Sequence, residues 1–162
     1  VGLIPDNELS KKINVRMNPE TNGAIVDANL MTSVPGVFAC GNVLHVHDLV
    51  DYVTEESTRA GTFVSAYLRG EAQISQYKTV AGANVKYIIP NRYTPVRENR
   101  IYMRSLVVKN KAEMSITLDG KEIKKKTIRH IQPSEMISLT LKPEDLSDVS
   151  ELKENTLEVS LR

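Results

Sequence analysis

Hydrophobic and polar positions follow two different rhythms along this chain. Up to about Gly70 the apolar residues come in short runs closed by turn formers. GAIVD (Gly23 to Asp27) and GVFAC (Gly36 to Cys40) are the clearest, and the turn-rich NPETNG (Asn18 to Gly23) leads into the first. Runs of this kind predict buried strands. The stretch TEESTRAGTFVSAYL, Thr54 to Leu68, changes to a helical period: Ala60, Val64 and Leu68 share one face, with Phe63 and Tyr67 beside them. Thr54 is the expected N-cap, and Glu55 and Glu56 fall in the first turn, where the helix dipole favours negative charge. Gly61 inside this helix costs about 1 kcal/mol relative to alanine. Close backbone packing or simple tolerance accounts for it equally well.

After RGEAQISQY the grammar changes. From Val85 onward the segments VKYIIP, RIYMRSLVVK, EMSITLDG, KEIKKKTIRHIQP, EMISLTLKP and NTLEVSLR follow one another across short turns. Asp119-Gly120 is a strong hairpin signal, and Pro133 and Pro143 sit between runs, where proline is tolerated. Strands spaced about 8–12 residues apart predict a small antiparallel β-sandwich. The expected fold class is therefore α+β. Residues 1–72 form an α/β part of strands plus one helix, and residues 80–162 form the sandwich, with the boundary between Gly70 and Asn84.

Composition narrows the function classes. Of 162 residues, 41% are hydrophobic and 25% charged, enough for a sizeable core. A formal net charge of +1 argues against a broad surface for nucleic acid or anionic membrane. The most basic stretch, Lys121 to Lys126 with Arg129, reads as a solvated strand edge that discourages aggregation. No apolar run approaches the ~18 residues of a membrane helix, and no signal-peptide pattern is present. Cys40 is the single cysteine, which excludes an internal disulfide and a Cys-x-x-Cys redox pair and points to a reducing cytoplasm. The opening VGLIPD reads as the tail of a strand entering a Gly/Pro turn, so the chain is expected to be part of a longer protein.

The stretch VPGVFACGNV, Val34 to Val43, carries the most chemical information. A glycine at the end of an apolar run lets backbone approach a ligand closely, and Asn42 beside it offers both a donor and an acceptor. TSVPGVFACGNV (Thr32 to Val43) resembles the second flavin-binding motif of the pyridine nucleotide-disulfide oxidoreductase superfamily, T-x-x-x-h-h-A-x-G-D. VGLIPDNEL resembles the end of that family's NAD(P)H-binding domain, NGAIVDANLMTS the strand leading into the motif, and TEESTRAG the helix that follows it. The resemblance covers the first 70 or so residues. It implies that the first half is the C-terminal part of an FAD/NAD(P)-binding domain in an oxidoreductase. That enzyme would pass electrons between NAD(P)H and an acceptor through FAD. The implied cofactor contacts are Gly41, Asn42 and Val43 at the strand end, with Thr54 and Glu55 presenting helix N-terminal amides to the flavin C2 carbonyl. Asn42 departs from the family's acidic residue, although its amide oxygen still accepts and its NH2 donates to a phosphate. The eight glycines contain no G-x-G pair, so the dinucleotide fingerprints are absent. The resemblance thus implies missing N-terminal flavin and NAD(P) domains, without which this fragment is expected to be inactive and free of FAD.

Other groupings carry less. HVHD, His45 to Asp48, places two imidazoles at a His-x-His spacing used by metal sites. A full ligand set would need Asp48, Asp51 or Glu55, with His130 far away in the other half. The plainer reading, adopted here, is a loop insert with no metal. In that reading His45 and His47 border the substrate side of the flavin and are the candidate acid/base groups. Cys40 reads as a small buried residue, and Asp48 and Asp51 read as solvated loop acids. Tyr87, Tyr93 and Tyr102 read as strand core rather than a binding surface. The β-sandwich, poor in reactive residues, is expected to serve as a docking or oligomerisation surface for a second copy or an electron-transfer partner. As a rival to the flavin reading, it would be a non-catalytic interaction module and the chain's functional part.

Overall fold

A computed structural model describes residues 4–151 and 154–162. The fold is mixed α+β, with one long helix and two sheets. The chain divides into two compact units, Val1–Gln73 and Ile74–Arg162.

The first unit contains a short helix α1 (Glu8–Lys12), a 3-10 turn (Gly41–Val43) and the long helix α2 (Val50–Leu68). The two expected strands are each reduced to one isolated antiparallel bridge, Met17 to Ala24 and Met31 to Phe38. Local side-chain bonds explain the difference. The Asp27 carboxylate accepts the N–H groups of Asn29 (2.7 Å) and Met31 (3.0 Å), and Thr32 Oγ1 accepts that of Val34 (3.2 Å). Such bonds give the backbone turns in place of a ladder. Around the first run the apolar positions Ala24, Val26, Ala28 and Leu30 nonetheless lie in the core, whereas Val37 to Cys40 of the second run are only half-buried.

Helix α2 starts at Val50, four residues before the expected N-cap. Thr54 is an interior residue whose hydroxyl donates back to the Val50 carbonyl at 3.1 Å, and Thr58 and Thr62 repeat the pattern one and two turns later. Only the early part of its inward stripe is covered. Glu56 and Ala60 are buried, whereas Tyr67 and Leu68 are exposed. Gly61 also faces open space, with nothing within 4 Å of the position a Cβ would occupy. Gly61→Ala is therefore expected to stabilise the unit by about 1 kcal/mol, measured as a higher urea midpoint of the helical circular-dichroism signal.

Among the described residues the second unit holds eight strands: β1 (Tyr77–Ala81), β2 (Val85–Ile89), β3 (Arg92–Tyr93), β4 (Asn99–Ser105), β5 (Lys109–Leu118), β6 (Lys121–Ile131), β7 (Met136–Leu141) and β8 (Leu157–Leu161). They form a five-stranded sheet, β3-β1-β8-β5-β6, and a three-stranded sheet, β2-β4-β7. Both sheets feed one apolar cluster that includes Ile101, Met103, Met114, Ile116, Leu141 and Val159. Pairing is not wholly antiparallel. The first and last strands, β1 and β8, run parallel in the register Thr79 to Leu157. The entire unit lies between them in sequence, which supplies the long crossover a parallel pair needs.

Tyr87, Tyr93 and Tyr102 are all buried, and the Tyr93 hydroxyl donates to the Asn155 carbonyl at 2.7 Å. The basic strand β6 is the edge of the larger sheet. Two of its lysines are paired there, Lys124 with Asp145 and Lys125 with Glu113, both at 2.7 Å. The Asp119-Gly120 pair turns β5 into β6 with positive φ at both residues, 46° and 84°, as a type I′ hairpin demands. The Asp119 carboxylate also accepts the N–H groups of Thr156, Glu154 and Asn155, which fastens the approach to β8 and holds its acidity above that of a free aspartate. No helix among the described residues is long and apolar enough to cross a membrane.

Candidate functional site

The chain reaches Cys40 in extended conformation (φ −153°) and turns sharply at Gly41, whose φ of +72° suits a residue without a Cβ. The 3-10 turn Gly41–Val43 follows, closed by Leu44 N–H on the Gly41 carbonyl at 2.9 Å. Its outer surface is open: Asn42 and Val43 are exposed. Its inner surface is tied down at three points. The Asn42 side-chain oxygen accepts the His47 N–H at 3.1 Å and so sets the loop that carries both histidines. Buried Asn7, from the segment before α1, donates its amide to the Val43 carbonyl at 2.7 Å and to the Asn22 carbonyl at 3.0 Å. The third tie is Glu56.

Glu56 projects from α2 with 0% of its surface exposed. One carboxylate oxygen, Oε2, accepts the Gly41 N–H at 2.6 Å and faces His47 Nε2 at 3.1 Å; the other, Oε1, faces His45 Nε2 at 3.1 Å. Both imidazoles are buried, His45 at 1% and His47 at 7% exposure, with ring centroids 4.2 Å apart. Burial by itself would push the Glu56 carboxyl up. The hydrogen bonds and positive character supplied by His45 and His47 outweigh it and hold the group down at about 2. Glu56 is then a carboxylate at neutral pH and can only accept, so in this hydrogen-bonded arrangement each ring donates its Nε2–H. A buried charge of this kind persists because three donors, Gly41 N–H and the two imidazoles, take the place of water around it.

The structure brings four of the residues singled out in the sequence into one assembly. Gly41, His45 and His47 meet around Glu56, and Asn42 joins through the His47 amide. Val43 is linked through its carbonyl to Asn7. Thr54 is exposed on α2, and Glu55 is half-buried. Both lie beyond the start of the helix, where N–H groups lack intrahelical partners; that start belongs to Val50 and Asp51 instead, and the Tyr52 N–H is already bonded to the Leu49 carbonyl at 3.2 Å. Asp48 and Asp51 are exposed, and Cys40 is half-buried. His130 lies exposed on β6 with Nδ1 2.7 Å from Asn110 Oδ1.

Glu56 is the residue that sequence reasoning missed as a site residue. A signal was present: Glu56, Ala60, Phe63 and Tyr67 are spaced by four, three and four residues, which puts the acid on the apolar stripe rather than on the solvated face. Asn7 carried no comparable signal. Gly23 was legible only as a turn former. In the fold it lies against the backbone of Leu44, directly after the 3-10 turn.

No protein-family profile, curated protein or solved structure matches this chain.

Proposed function

We propose that this chain is the C-terminal part of a cytoplasmic FAD-dependent oxidoreductase that passes electrons from NAD(P)H to an acceptor. The observation that carries the reading is the state of the Gly41–Val43 turn. Its inner surface is held by Glu56 and Asn7, while Asn42 and Val43 stand open on the outer surface. The start of α2 supports it as well. The N-cap Leu49 offers no side-chain bond to the first helical amides, and Leu49 and Val50 are 54% and 79% exposed. An exposed helix start without a capping side chain leaves N–H groups for an electron-rich ligand edge.

In this reading FAD supplies the redox chemistry. Asn42 contributes an amide to the ribityl–pyrophosphate portion, Gly41 allows close approach, and the α2 amides at Val50 and Asp51 replace the Thr54 and Glu55 positions implied by sequence. The remaining flavin and NAD(P) contacts come from N-terminal domains of the same protein. The two-sheet unit then provides a docking surface for an acceptor protein or a second copy.

The test is intact-mass spectrometry of the native gene product with its visible absorbance. A mass several domains larger than 18.1 kDa, carrying a flavin spectrum, is the expected result. A flavin-free product of this chain's own mass would overturn the reading and move the function to the two-sheet unit.

A further inference from the structure

We propose that His45, His47 and Glu56 form a buried site for one divalent transition-metal ion, zinc by its ligand chemistry. The inference is independent of the flavin reading, because it concerns the inner surface of the loop and not the exposed turn.

Three observations carry it. First, the donor atoms converge: two imidazole nitrogens and a carboxylate oxygen lie within 4.8 Å of one another, all on buried residues. This is the only such grouping of histidine, cysteine and acidic residues among the described residues. Second, the spacing suits an ion. Zinc–nitrogen and zinc–oxygen bonds of about 2.0–2.2 Å place neighbouring ligands of a tetrahedral ion ~3.3 Å apart. Both Nε2–carboxylate separations are 3.1 Å. Third, the outer partners expected of a metal site are in place. Gly41 N–H orients the carboxylate, and Asn42 Oδ1 fixes the backbone of His47.

On binding, each ring gives up the Nε2 proton that it donates to Glu56, keeps one proton on Nδ1 and presents the Nε2 lone pair; any proton in excess of the neutral ring passes to solvent, and no oxidant or reductant is required. Two nitrogens and one Glu56 oxygen give three protein donors, a His2Glu set that leaves a fourth tetrahedral position, and the burial of all three residues screens that position from bulk solvent. Imidazole and carboxylate together suit zinc better than magnesium or calcium, which favour all-oxygen shells. The ion would fasten the loop Gly41–His47 to α2 and would be acquired as the unit folds.

The experiment uses the whole chain, stripped with a chelator, dialysed and titrated with zinc chloride. One zinc per chain should survive gel filtration, and the thermal midpoint should rise with zinc concentration. His47→Gln should weaken retention by more than ~100-fold, whereas His130→Gln should retain zinc normally. Should His47→Gln fail to fold, cobalt(II) decides on the unaltered chain: intense visible bands of a four-coordinate ion support the site, and the pale spectrum of the hydrated ion overturns it. A folded chain that retains no zinc and melts identically with and without it also overturns the proposal. Metal content and flavin absorbance are separate readings, so either proposal can fail alone.

Discussion

Gly23→Ala is expected to unfold the first unit. A Cβ on Gly23 would overlap the Leu44 carbonyl oxygen and carbon and approach its Cα to 2.8 Å, all of them backbone atoms. Leu44 cannot retreat, because its side chain is 0% exposed and its N–H is bonded to Gly41. On the other side Gly23 is held by its carbonyl, which accepts Asn18 N–H at 2.8 Å, and by its own N–H on Thr21 Oγ1 at 3.1 Å. Overlap between two fixed backbones cannot be relieved by a rotamer change, so the cost belongs with the largest single-substitution effects, about 4 kcal/mol or more. That is comparable with the whole stability of a small unit. The measurement is urea unfolding followed by circular dichroism and by amide exchange within α2. The same substitution at Gly61, where the Cβ meets nothing, should act in the opposite direction. Equal effects at the two positions would sink the account of Gly23 as a contact made backbone to backbone.

Glu56→Gln should destabilise the metal-free first unit by about 3 kcal/mol. The amide keeps one acceptor oxygen and replaces the other by an NH2 that points at donors already there. At least one of Gly41 N–H, His45 Nε2–H and His47 Nε2–H then loses its acceptor in a site buried from solvent. The pH dependence supplies a second readout. The folded-state carboxyl sits at about 2, below the ordinary 4.5, so its contribution is present above pH 4.5 and is lost as the pH falls toward 2. Protonated Glu56 resembles glutamine in charge. The stability difference between wild type and Glu56→Gln in chelated protein should accordingly shrink through that window, as read by urea titrations at stepped pH. A difference that stays constant from neutral pH to acid would show that the carboxylate charge is not what holds the loop.

Both predictions concern the same small region, which links the levels of the structure. Gly23 lets the loop after the 3-10 turn lie against the preceding turn. The loop then presents His45 and His47 inward, and Glu56 receives them from α2. The exposed Asn42–Val43 surface therefore depends on residues that never reach solvent.

Local chemistry was legible wherever neighbours in sequence are also neighbours in space. Asp119-Gly120 specifies its hairpin because both residues tolerate positive φ, and the β-rich segments from Val85 onward carry their own period. The basic β6 announced an exposed edge through its lysines. The helical period of residues 54–68 identified α2, though not its first turn, since Val50 to Val53 carry neither a capping side chain nor a clear break in pattern. The strands expected at GAIVD and GVFAC went astray for a related reason. Apolar spacing reports burial, which holds for Ala24 and Val26 but only by half for Val37 to Cys40, and Asp27 and Thr32 divert the backbone bonds that would have made ladders.

Elements whose bonds close locally could be read from the residues alone: the Asp-Gly hairpin, the helical stripe and the pairing of two histidines in one short loop. The parallel meeting of β1 with β8, the need for a bare glycine at position 23 and the pairing of Glu56 with His45 and His47 emerged with the packed fold. Each of these depends on residues distant along the chain meeting in a buried interior. There a carboxylate that would be unremarkable on a helix surface must find every one of its donors within the fold.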